Sequence, residues 1–108
     1  MITIDCQSHV FPAPYAELLT RNRGWVRVEK TSGSYRIQYG ALQSFLLDLD
    51  SYDPQKKIRD MDSTGIDISI LSINIPGPEA LDQDIAFEAA QLCNDAVHEI
   101  CSRHKERF

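Results

Sequence analysis

The chain has 108 residues, 43% of them hydrophobic, with 11 Lys plus Arg against 16 Asp plus Glu and a formal charge of -5. That length and composition support one domain with its own core, and the acidic balance argues against nucleic acid or an anionic membrane as the main partner, because both attract basic patches. No basic start followed by an apolar stretch is present and no apolar run approaches the roughly 20 residues of a bilayer span, so a cytoplasmic location is expected.

The opening "MITIDC" reads as a short strand with Ile2, Ile4 and Cys6 on one face. Gln7 and His9 follow in alternation, so both are expected to project from one face where the strand stops. Two readings are open there: the front edge of a metal site, or a strand end meeting solvent. Pro12 and Pro14 break the strand, and "PYAELLTRNRG" reads as a short helix with Tyr15, Leu18 and Leu19 as its inner stripe and Asn22 to Gly24 as its stop.

"WVRVEKTSGSYRIQYG" alternates in two runs around Ser32-Gly33-Ser34, a hairpin pattern over residues 25–39. Its polar loop and short strands read as an excursion over the end of the domain, outside the central sheet. "LLDLDSYD" carries Asp48 and Asp50, read as a solvated turn rather than a paired-carboxylate site. A second helix starts with Asp53 as cap and Pro54 at its first position, repeats Ile58 and Met61, and stops at Gly65.

"IDISILSINIPG" then reads as a strand buried on both faces, being β-branched and nearly apolar apart from Asp67. Pro76-Gly77-Pro78 forces a loop after it. The last element is an amphipathic helix of about 20 residues beginning near Asp82, because Ile85, Ala89, Leu92, Cys93, Ala96, Val97, Ile100 and Cys101 recur at threes and fours. The order strand, helix, hairpin, helix, strand, helix gives an α/β fold with a parallel pair joined by a long crossover. Two parallel strands leave open edges, so a covering segment or a second copy is expected and self-association follows.

Cys6, Cys93 and Cys101 make an odd number that no internal disulfide framework uses up, and all three read as small buried hydrophobes in a reducing compartment. His98 and His104 read as surface residues. They stand six apart, where the helical zinc signature needs four. No glycine-rich phosphate loop or dinucleotide fingerprint is present.

"IDCQSHVFP", "DPQKKIRDMDSTGIDISILSINIPG" and "AAQLCNDAVHEICSRHKERF" together resemble the opening third of the amidohydrolase-related, metal-dependent hydrolase and decarboxylase family, which includes aminocarboxymuconate-semialdehyde decarboxylase-like proteins. The resemblance implies that residues 1–108 are a single domain, the N-terminal portion of a (β/α)8 TIM barrel, with the 25–39 hairpin inserted. It implies zinc or another divalent metal as cofactor and a small carboxylated aromatic or muconate-like substrate.

The family's first-strand motif is an aspartate and two metal-binding histidines at alternate positions. Asp5 and His9 match its outer positions, and Gln7 stands where the first histidine belongs. The implied metal ligands are therefore Gln7 and His9. An amide oxygen is a weak neutral donor beside imidazole, which lowers the expected affinity or changes the metal.

Asn74 follows the second parallel strand and Phe11 the first, so the resemblance places both at the substrate pocket. Their other reading is a polar residue at the mouth of a proline-shaped loop and a core aromatic; Trp25 is weighed in the same way. The family's remaining catalytic groups come from later strands, and this chain supplies at most two of the eight strand ends that gather a barrel active site. Three classes stay open: part of a metal-dependent hydrolase or decarboxylase inactive as this short chain, a non-catalytic small-ligand module, or a self-association module.

Overall fold

Asp53 and Gly65 bracket one helix as their chemistry dictates: the Asp53 carboxylate accepts from the Lys56 amide at 2.9 Å, and Gly65 takes the left-handed conformation at φ 73. Similar local rules lay out the rest. A computed structural model describes all 108 residues. The elements run β1 (Ile4–Val10), α1 (Ala13–Leu19), β2 (Val26–Thr31), β3 (Ser34–Tyr39), β4 (Gln43–Leu47), α2 (Pro54–Thr64), β5 (Ile68–Ile73) and α3 (Gln83–Arg103), with short 3-10 turns at Leu49–Tyr52 and Pro78–Ala80.

The result is a small mixed α/β fold with two sheets. β1 and β5 form a parallel pair, and β2, β3 and β4 form an antiparallel sheet in that order. Gly33 at φ 81 makes the β2–β3 turn. The five strands do not close into a barrel. Only α3, with 21 residues, is a long helix; α1 and α2 have 7 and 11.

Three expectations are corrected here. The antiparallel sheet is no peripheral excursion: Val26, Val28, Tyr35, Ile37 and Leu47 from it join Phe11, Tyr15, Ala16, Leu18 and Leu19 around α1 and Ala89 and Cys93 from α3 in the main hydrophobic cluster. A third strand, β4, explains why, since a bare hairpin is marginal whereas three strands packed on a helix bury a face.

β5 is buried on one face only. Ser69 is 1% exposed, but Ile70 is 56% exposed, because nothing covers the side away from the helices. Cys6 is exposed on the same uncovered side, whereas Cys93 is buried and Cys101 half-buried.

The radius of gyration is 14.9 Å, above the ~13 Å of a close-packed domain of about this length. The extents of 46 × 25 × 21 Å show an elongated body in which the parallel pair stands partly uncovered. No helix is long and apolar enough to cross a membrane.

Candidate active-site strand end

A one-residue bulge decides where the candidate side chains point. Asp5 pairs with Ser69 and Ser8 with Leu71, so Cys6 and Gln7 together oppose Ile70. The extra residue reverses the alternation of β1. Ser8 and Val10 thereby turn inward, at 5% and 1% exposure, with Ser69 and Ile73 on the helix-covered face. His9, paired with Ser72, lies on the uncovered face with Ile4 and Ile70. Without the bulge His9 and Ile4 would lie on opposite faces. The Asp5 carboxylate supports this geometry by accepting the Gln7 amide at 3.0 Å.

His9 thus sits near the C-terminal end of a parallel strand, half-buried, with its Nδ1 3.0 Å from Ser72 Oγ. Gln7 is exposed one bulge earlier. Asn74, just past β5, donates its backbone N–H to the Val10 carbonyl at 3.0 Å and so lies at the same strand end. Its side chain is largely engaged: Nδ2 donates to the Tyr52 hydroxyl at 2.7 Å and Oδ1 accepts the Ile75 amide at 2.9 Å.

Phe11 is buried at 3% exposure between the rings of Tyr15 and Tyr52, at centroid distances of 5.2 and 5.9 Å. It also lines a cleft of about 270 Å³ with Pro12, Leu49, Tyr52, Pro54 and Ile100. Gln7, His9 and Asn74 do not line that cleft. Trp25 stands 66% exposed, with its ring against Gly40. The structure therefore brings His9 and Asn74 to one strand end, keeps Gln7 on the open face, and places Phe11 in the core at the edge of a cleft.

Two residues that sequence reasoning passed over enter this region, Ser72 and Tyr52. Ser72 is a polar residue inside an apolar strand, a visible signal, while Tyr52 reaches Asn74 only through the fold. Tyr15 closes the back of the loop by donating its hydroxyl to the Pro76 carbonyl at 2.7 Å. Burial pushes its phenol well above the usual tyrosine range, with Cys93 and Glu79 adding to the effect. Burial, then Glu79, lifts the Cys93 thiol to about 11, so it is no nucleophile near neutral pH.

The fit to a metal is poor within this chain alone. His9 offers one imidazole nitrogen, Gln7 a neutral amide, and the Asp5 carboxylate is turned back onto the bulge. No group of three or more His, Cys, Asp or Glu side chains stands close enough to hold an ion. A stable divalent site needs more donors than these.

No protein family model matches the chain. Over 68 residues, 62% of its length, it is 41% identical to Gamma-resorcylate decarboxylase of Rhizobium radiobacter. It is 40% identical over 68 residues to Gamma-resorcylate decarboxylase of Rhizobium sp. (strain MTP-10005). The chain is distantly related to decarboxylases. The match covers 20% of each relative, so the chain spans about a fifth of the length of these curated proteins.

Proposed function

We propose that this chain is the strand-helix portion of a metal-dependent decarboxylase or hydrolase of the amidohydrolase type, a (β/α)8 barrel acting on a small aromatic or muconate-like carboxylate such as the resorcylate for which its relatives are named. The observation that carries this reading is His9. It stands near the C-terminal end of a parallel strand, on the face away from the helices, which is where barrel enzymes gather their active sites.

In this reading Gln7 and His9 are the first strand's contribution to a divalent metal, zinc or another, and Asn74 and Phe11 border the substrate. The further donors come from outside these 108 residues, because the residues present do not make a site. The uncovered apolar side chains Ile4 and Ile70 face the interior of the completed barrel, and the short chain by itself does not turn over substrate. A cytoplasmic location accompanies the reading.

The test is a chimera in which residues 1–108 replace the matching segment of the Rhizobium radiobacter enzyme. A folded chimera that decarboxylates gamma-resorcylate, and loses that activity with His9→Ala, supports the proposal. A folded but inactive chimera, or one indifferent to His9→Ala, overturns it.

The exposed Ile4 and Ile70 also favour a second reading, a non-catalytic module that pairs with a second copy through these strands. Sedimentation that stays monomeric at high concentration removes it.

A further inference from the structure

His9 and Ser72 are cross-strand neighbours in the parallel pair, so the contact between their side chains is fixed by register. His9 Nδ1 lies 3.0 Å from Ser72 Oγ, and Ser72 Oγ lies 3.5 Å from the Ser8 carbonyl oxygen, to which it donates. A serine hydroxyl has one proton and two lone pairs, while a neutral imidazole has one N–H and one bare nitrogen.

Two arrangements are available. If Nδ1 carries the proton, it donates to Ser72 Oγ, and the hydroxyl proton is free to point at the Ser8 carbonyl, satisfying both contacts. If Nε2 carries the proton, the hydroxyl must turn to Nδ1 and the contact with Ser8 is lost. The first arrangement makes two hydrogen bonds where the second makes one.

We infer that Ser72 is a positioning residue for His9: it holds the imidazole in the Nδ1–H tautomer and leaves Nε2 as the bare nitrogen. A free neutral imidazole in water favours the opposite tautomer, so the strand pair imposes this form. A bare Nε2 is what allows an imidazole to accept a proton or bind a cation, and the partner of the other nitrogen decides which one is available. Ser72 would then select the reactive atom of His9 without touching the ligand.

The role assigned to Nε2 rests on the proposed function, but the tautomer itself needs neither metal nor substrate. The experiment is long-range proton–nitrogen NMR on the full chain with 15N-labelled histidine, at about pH 8.5, roughly two units above an ordinary imidazole. His98 and His104 serve as internal references. Expected is a protonated-type Nδ1 and a bare-type Nε2 for His9.

In Ser72→Ala the ratio of Nδ1–H to Nε2–H falls by about two- to fivefold, the effect of one hydrogen bond at the weak end of the usual range, as the 3.5 Å separation of Ser72 Oγ from the Ser8 carbonyl implies. Ser72→Thr keeps the hydroxyl on a β-branched side chain suited to a strand and restores the ratio. An Nε2–H His9 in the unmodified chain overturns the inference. So does a His9 spectrum unchanged in a folded Ser72→Ala chain. An inactive chimera accompanied by the expected tautomer would remove the functional reading alone, so the two failures are distinct.

Discussion

Asn22 Oδ1 accepts the backbone N–H of Asp82 at 2.8 Å, which joins the connection between α1 and β2 to the head of the long helix. Asp82 does not cap α3 with its side chain; its carboxylate instead accepts the amides of Arg23 and Gly24 at 2.8 and 2.9 Å. Asn22 is 2% exposed and also donates from Nδ2 to the Val26 carbonyl at 2.6 Å. Asn22→Ala leaves the Asp82 amide and Val26 carbonyl without these partners. The expected cost is about 2 kcal/mol, read as a fall of about 10 °C in the thermal midpoint. An unchanged midpoint would show that water replaces both bonds.

Arg107 holds the start of β5 through three donors. Its Nε and Nη2 reach the Asp67 and Ile66 carbonyls at 2.9 and 3.2 Å, its Nη1 reaches Asp62 at 2.7 Å, and its own carbonyl accepts the Ser69 amide at 2.9 Å. Arg107→Ala is expected to cost about 1–2 kcal/mol, because the guanidinium is only partly exposed and most of its bonds go to backbone. Hydrogen exchange at Ser69 is expected to quicken about tenfold, while exchange in β3 stays unchanged. Uniform quickening across both sheets would mean global rather than local loosening.

Glu17 ties α1 to the antiparallel sheet. The Tyr35 hydroxyl and the Lys30 ammonium donate to its Oε2 at 2.7 and 3.0 Å, and together, Tyr35 first, they hold its carboxyl below the usual range. A depressed folded value means that the contribution is present above the unfolded value of about 4.3 and is lost as pH falls through the folded value. Both ion-pair partners are largely exposed, so the stability effect is small. Tyr35→Phe is expected to move the Glu17 titration upward, measured by carboxyl NMR. No movement would assign the shift to Lys30 alone.

Gln7→His (Q7H) supplies a second imidazole on the face that carries His9. Zinc affinity is expected to rise about tenfold or more, equivalent to about 1.4 kcal/mol, measured by calorimetry on the full chain. Equal binding in both forms would mean that the bulge at Cys6–Gln7 holds the two side chains too far apart to share an ion.

Much of the local structure is legible in the sequence because it rests on local chemistry. Asp53, Pro54 and Gly65 mark α2, and Ser32-Gly33-Ser34 marks a turn. The inner stripe of α1 follows from Tyr15, Leu18 and Leu19, and these side chains are buried. β4 escapes because "QSFLL" is followed at once by the acidic turn that dominates a reading of the segment. The Cys6–Gln7 bulge escapes because it exists only against a partner strand. Simple alternation puts Gln7 and His9 on a face opposite Ile4, whereas pairing with β5 puts His9 and Ile4 on one face.

The sequence by itself determined the kind and order of every helix and of every strand but β4, since caps, prolines, glycines and apolar spacing act within a few residues. It also carried the "IDCQSHVFP" motif that brings His9 into question. Tertiary structure alone decided which sheet carries the core, which face of β5 stays open, and that Ser72 meets His9 and Tyr52 meets Asn74. Those outcomes depend on register and on contacts between residues 22 to 63 positions apart, and neither leaves a trace in spacing along the chain.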